Sequence, residues 1–266
     1  MCLFFGLSRQ AYYKQVQKDF SSDAKDQLVI RLVQEEKARN KMLGVRKVYH
    51  KRYNCIKGIN SSLGRDKLFD LLRRHNLLVS RRRKYAVTTD SKHRFRKYEN
   101  KLEGFTPARP HQAWVGDITY LRTRQGFVYL FLLTDAFSRK IVGWHVARSL
   151  RIEDALQAAK MAIRQCPNTK GLIHHTDRGF QYCSPAYTNK MESIGIQMSM
   201  GEAGNCYDNA MAERVNGILK SEYGLDETFR DFKETLRATT ESIKDYNEQR
   251  PHWGLKLEIP SVIHAA

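Results

Sequence analysis

AWVGDITYLRTRQGFVYLFLLTDAFSRKIVGWHVARS, residues 113–149, is the stretch that decides the fold. Three runs rich in β-branched and aromatic residues, AWVGDITYLR, FVYLFLLTDA and KIVGWHVARS, are separated by the short turns TRQG and FSR. That spacing predicts three antiparallel strands in a meander. Outward from it, IEDALQAAKMAIRQC (152–166) reads as an amphipathic helix with acids in its first turn. GLIHHTD (171–177) reads as a buried strand, SPAYTNKMESIG (184–195) as a helix closed by Gly195, and IQMSM (196–200) as a short strand. DNAMAERVNGILKSEY (208–223), with Asp208 as N-cap, and FKETLRATTESIKDYN (232–247) complete the order β-β-β-α-β-α-β-α-α. The class is α/β, a mixed five-stranded sheet with helices on its faces.

Upstream the texture differs. Residues 1–100 hold 25 Lys+Arg against 9 Asp+Glu, a surplus of +16, and the remaining 166 residues hold 21 against 19. Nearly all of the net charge of +18 therefore lies in the first hundred residues. Such a surface attracts polyphosphates by counterion release, which makes nucleic acid the expected partner, and double-stranded DNA where the short helices of this region form a helix-turn-helix. LSRQAYYKQVQKDF (7–20, N-cap Ser8), DAKDQLVIRLVQEEKARN (23–40, stopped at Asn40) and GRDKLFDLLRRHNLL (64–78, left-handed cap at Asn76) read as separate helices of a helix-turn-helix-like region. SRRRKYAVTTDSKHRFRKY (80–98) interleaves cations with aromatics and reads as a basic arm, with Arg81, Arg82, Arg83 and Lys84 as DNA contacts. The prolines of FTPARPHQAW (105–114) mark a boundary, giving a basic all-α region at 1–107 and an α/β core at 108–266. Five scattered cysteines without a C-x-x-C pair suit a reducing cytoplasm, and no run reaches the length of a membrane span.

Three acids stand out by placement. Asp117 lies inside an apolar strand, where an uncompensated charge is costly. Asp177 ends GLIHHTD just before a glycine-containing loop, the usual place for functional groups in α/β sheets. Glu213 falls in the first turns of a helix, with 35 residues between it and Asp177. Converging at a sheet edge, three carboxylates make an oxygen-rich pocket for two magnesium ions and in-line phosphodiester chemistry. Asp135, at the end of FVYLFLLTDA, is as good a candidate as Asp117, and spacing alone leaves that choice open. IHHTDRGFQYCS (173–184) also suggests zinc, but Cys183, Cys206 and His145 lack a zinc-site spacing. Alternation puts His175 on the face of Asp177, lining the pocket or contacting DNA, and His174 on the opposite face. Arg178 and Gly179 form the turn after Asp177, with Arg178 as a further DNA contact and Gly179 supplying a backbone angle. Asn205, Tyr207 and Asn209 sit in the loop before the helix of Glu213, and RPHWGL (250–255) reads as a tail folded back with Trp253 as its packing anchor.

In order along the chain, WVGDITY, LLTDAFSRKIVGW, HHTDRGFQYCS, GNCYDNAMAERVNGILKSE and YNEQRPHWGL resemble the signatures of bacterial insertion-sequence transposases of the OrfA/OrfB class, the IS3 family. The likeness is dense over about residues 108–260 and looser before them. It implies an RNase H-like core of the retroviral-integrase type and a D-D-E triad: Asp117, Asp177 and Glu213, each a catalytic residue and a metal ligand. Asp135 then belongs to a structural strand-turn motif. The resemblance also singles out Lys220, seven positions after Glu213, to meet a DNA phosphate. Two helical turns would place it about 10.5 Å along the axis on the same face. The implied activity is DDE transposition by a polynucleotidyl transferase, with Mg²⁺ (or Mn²⁺) at two ions per site driving strand cleavage and strand transfer. The implied setting is the bacterial cytoplasm, associated with the nucleoid, as a homo-oligomer on DNA. The chain corresponds to the OrfB product, the catalytic component, with OrfA or an OrfAB fusion as partner. Two other readings are a DNA-binding or regulatory partner of the fused protein with little activity alone, and an RNase H-type nuclease acting on hybrids.

Overall fold

The computed structural model describes residues 8–79, 94–201 and 210–266. The chain divides into two compact units, Met1–Arg81 and Arg82–Ala266. The first is helical: α1 (Arg9–Arg39), α2 (Val45–Lys51), α3 (Tyr53–Ile59) and α4 (Arg65–Arg74). α1 is one continuous helix rather than the two expected, because residues 9–39 contain neither glycine nor proline to interrupt it. Its ends are as expected: the Ser8 hydroxyl accepts from the Ala11 N–H at 3.1 Å, and Asn40 closes the last turn. α2 and α3, unforeseen in the sequence, are seven residues each, too short for a periodic signature. Val29, Ile30 and Val33 of α1 pack with Val48, Ile56, Leu68, Leu71 and Leu72 in one core. Inside it Glu36 accepts from Arg52 Nε at 2.7 Å and pairs with Lys51 at 2.8 Å, which holds its carboxyl below the usual range despite burial. Asn76 takes the left-handed conformation after α4 (φ 54°).

The second unit is a mixed sheet. β1 (Ala113–Thr123), β2 (Gly126–Asp135) and β3 (Ile141–Ala147) form the antiparallel meander. Next come α5 (Ile152–Gln165), β4 (Ile173–Thr176), α6 (Phe180–Cys183), α7 (Pro185–Glu192), β5 (Gln197–Met200) and α8 (Ala210–Tyr223). A two-residue strand β6 (Thr228–Phe229), α9 (Phe232–Glu248) and α10 (Pro260–Ala265) end the order. The five strands run β3-β2-β1-β4-β5, with β4 parallel to β1 and β5 parallel to β4; β6, not expected, pairs with β1 beyond the end of β4. α5 and α7 cover one face with Trp114, Phe131, Leu133 and Tyr187, and α8 and α9 cover the other with Leu121, Leu130, Val215 and Tyr246. α5 lies almost against β3: a Cβ on Gly143 would strike the Ala158 carbonyl oxygen and come 2.9 Å from Ala162 Cβ. Only glycine facing alanines permits that approach.

Part of the presumed arm packs within the second unit. Phe95 and Tyr98 pack on the α5–α7 layer, and the Lys101 N–H donates to Ser199 Oγ at 2.9 Å along edge strand β5. The tail also differs from expectation. Trp253 is 52% exposed, and the anchor is Arg250, 2% exposed, which donates from Nε and Nη2 to the two Glu222 oxygens at 2.7 Å each. No described helix is long and apolar enough to cross a membrane.

Candidate active site

β1 alternates, so Val115, Asp117 and Leu121 face α8 while Ile118 turns toward α5. Parallel pairing with β4 ends at Gly116 opposite Thr176. One residue further, Asp117 stays within β1, opposite Leu132 of β2, while Asp177 follows the end of β4 beside it. Asp117 Oδ1 accepts from the Ile118 N–H at 2.9 Å, and Oδ2 accepts from the Asn216 side-chain amide at 2.6 Å. Burial above all, then the neighbouring Asp177 charge, pushes the Asp117 carboxyl up to about 7. The two hydrogen bonds oppose the rise and Glu213 adds to it. Asp177 Oδ1 accepts from the Gly179 N–H at 3.0 Å. Gly179 is needed for space and not for a special backbone angle: its φ is −68°, but a Cβ there would lie 2.9 Å from Asp177 Oδ1.

Glu213 stands exposed in the first turn of α8, within reach of Asp117 electrostatically. Among the described residues no three His, Cys, Asp or Glu side chains converge closely enough to hold one ion. The fit for a cation rests on the Asp117–Asp177 pair. Their oxygens are hard ligands, and a cation between them would relieve the repulsion that the Asp177 charge exerts on Asp117. Lys220, half-buried on α8, feels the Asp117 charge; desolvation nonetheless lowers its ammonium, with Arg122 adding to the effect.

Asp135 is settled as structural by its partners. It is fully buried, Oδ2 accepts from the His111 N–H at 2.7 Å, and Oδ1 accepts from the Ser138 N–H and hydroxyl at 2.8 Å each. Those donors tie down the β2–β3 turn, leaving the carboxylate no outward face. His175 is wholly buried between the layers, with Nδ1 2.8 Å from Ser199 Oγ, because β4 lies between β1 and β5. His174 sits against the other face as expected, its Nε2 2.8 Å from the Tyr187 hydroxyl, and burial lowers its imidazole to about 4. Gly116 makes room for it, since a Cβ there would come 2.9 Å from His174 Cε1. Arg178 is half-buried in the turn beside Asp177. Arg81, Arg82, Arg83, Lys84, Asn205, Cys206, Tyr207, Asp208 and Asn209 lie outside the described residues.

Two integrase core domain models match the chain, over residues 107–206 and 194–260. A 31 kDa protein of insertion element IS600 from Shigella sonnei is 36% identical over 95% of this chain and 93% of its own length. The transposase of insertion sequence IS629, also from Shigella sonnei, is 36% identical over 79% of this chain and 70% of its own. The chain belongs to the insertion-sequence transposases with an integrase core. This transposase is thus a polynucleotidyl transferase of the DDE type, acting in DNA transposition. The fold agrees: a chain of the simian T-cell lymphotropic virus intasome, solved with PP2A regulatory subunit B56 gamma, superposes with a TM-score of 0.51 at 16% identity. That likeness covers 85% of this chain and 72% of the other.

In the transposase one functional residue escaped the sequence reading. Asn216, one turn after Glu213 and nearly buried, supplies the side-chain donor to Asp117. The signal was present in NAMAERVNG, where i,i+3 spacing puts Glu213 and Asn216 on one helix face.

Proposed function

We propose that this transposase performs Mg²⁺-dependent strand cleavage and strand transfer at the ends of its insertion element, with Asp117, Asp177 and Glu213 as catalytic residues and metal ligands. The observation that carries the reading is the adjacent Asp117–Asp177 pair, in which burial first and the Asp177 charge second raise the Asp117 carboxyl to about 7. Two Mg²⁺ ions, or Mn²⁺ in their place, would activate the attacking oxygen and stabilise the leaving one. Asp117, fixed by Asn216 and the Ile118 N–H, and Asp177, fixed by the Gly179 N–H, hold their oxygens ready without rearrangement. Glu213 completes the set from α8, and Lys220 meets a DNA phosphate beside Asp117. In cleavage, a water oxygen bonds to phosphorus, the 3′ oxygen leaves, and its proton comes from solvent. In transfer, the freed 3′-OH attacks a target phosphodiester and releases a new 3′-OH.

The same reading makes residues 1–107 a DNA-binding region, the chain the OrfB component, and OrfA or an OrfAB fusion its partner in a homo-oligomer on paired ends. The test is cleavage and joining of a duplex bearing the element's inverted repeat, with Mg²⁺, by wild type and Asp177→Ala. We expect the substitution to lower both steps by ~1000-fold or more. Activity that survives it sinks the triad. Wild type that is inert alone yet active when fused to OrfA supports the catalytic-half reading. Cleavage of RNA–DNA hybrids without joining would make the chain a nuclease instead.

A further inference from the structure

The β1–β2 hairpin ends in a row of rings. Tyr120 and Tyr129 are direct cross-strand partners with centroids 5.1 Å apart, and Phe127 follows at 6.1 Å from Tyr120, both contacts edge-on. Tyr129 packs on the α5 layer at one end of the row; Phe127, at the other, belongs to no core cluster among the described residues and is 55% exposed. A single exposed aromatic is unremarkable, but three contiguous rings leading outward from a core make a surface. Its surroundings are cationic. Arg122 pairs with Phe127 across the hairpin, and Arg124 lies at the turn. Both are exposed and neither has an ion pair among the described residues. From residue 118 to 134 there is no carboxylate. Along β1 Tyr120 is three residues from Asp117, about 10 Å. Its ring lies on the sheet face opposite the Asp117 carboxylate, so a strand reaches from one to the other around the end of the sheet. Arg122 is close enough to Lys220 to depress its ammonium.

We propose that Tyr129, Tyr120 and Phe127 form a stacking platform for unpaired bases of a DNA strand at the carboxylate site, with Arg122 and Arg124 neutralising its phosphates. The inference rests on the transposase reading above. Rings with free edges and faces accept any base, and guanidinium groups beside them accept the backbone, which is the chemistry of sequence-tolerant single-strand binding. A strand opened next to a scissile phosphate presents that combination of unstacked bases and bare phosphates.

The test uses the full chain and two element-end oligonucleotides, one blunt and one with an unpaired flank carrying 2-aminopurine, read by fluorescence and anisotropy. Wild type should quench the 2-aminopurine and bind the flanked end more tightly than the blunt one. Phe127→Ala should weaken flank binding roughly tenfold and abolish the quenching, with blunt-end binding and Tm unchanged. Arg122→Ala should lower the salt dependence of flank binding by about one phosphate contact. Equal binding of both ends by wild type, or full quenching by Phe127→Ala, overturns the platform while leaving the transposase reading intact. So does a Phe127→Ala chain that changes only its sedimenting mass, which would make the rings a contact between protein copies. Failure of wild type to bind or process either end, alone or with OrfA, overturns the transposase reading itself.

Discussion

Asp117 keeps a proton that a surface aspartate would lose, because burial and the Asp177 charge both oppose its ionisation. Metal binding must therefore displace that proton, so Mg²⁺ affinity should rise with pH through about 7. Calorimetry in buffers of different ionisation enthalpy would show proton release, and a pH-independent affinity would contradict the pairing. A carboxyl raised in the folded state contributes stability at low pH that is lost as pH climbs from the unfolded value of 3.8 to about 7. Asp177→Asn removes one cause of the rise and keeps an acceptor for the Gly179 N–H. It should raise Tm at pH 8 in chelator by about 2–4 °C, change little at pH 4, and erase the further rise that Mg²⁺ gives wild type. Asn216→Ala removes a donor to the charged form, so the acid limb of the pH–rate profile should move upward. The strand positions of Asp117 and Asp177 were legible because acids are conspicuous in apolar runs. The choice between Asp117 and Asp135 was not, since it depends on which donors the β2–β3 turn and the His111 backbone bring to one of them.

At the scale of elements, the tail is held to α8 by one buried ion pair. Arg250→Ala removes the guanidinium that donates to both Glu222 oxygens and should cost about 3–5 kcal/mol, seen as a lower denaturation midpoint. The double change Glu222→Leu with Arg250→Met should recover most of that loss, because two apolar chains need no desolvation compensation. The sequence reading put the anchor on Trp253, since a large ring in RPHWGL is the obvious candidate for burial. The structure buries the guanidinium because Glu222 faces it, a pairing across 28 residues that no local pattern contains. The meander, α5, α7, α8 and α9 were legible from period and turn chemistry. What was missed is short or non-local: α2 and α3, the two-residue β6, and the Phe95–Tyr98 segment, whose rings find a core that lies far along the chain.

Across the described residues, buried imidazoles respond to acid. Burial first lowers both His174 and His264 to about 4, well under the ordinary histidine value. A depressed histidine contributes stability that is complete above about 6.5 and is lost as pH falls toward 4. Asp117 acts in the opposite sense over this range, but burial depresses His111 as well as His174 and His264, so a fall in Tm on acidification from about 6.5 to about 4.5 is the expected net result. His264→Gln, which keeps a hydrogen-bonding group for the Ser138 hydroxyl, should flatten the profile, and an unchanged slope would remove His264 from the account. The parallel β1–β4 pairing has a consequence for synthesis. Asp117 and Asp177 are neighbours only across a register that joins Trp114 to His174, so the site has high contact order. A ribosome-bound chain that has completed the meander displays one aspartate and no partner for it. On the proposed reading, the power to cut DNA arises only when the late strands and α8 have docked, which makes folding itself the first safeguard on the enzyme.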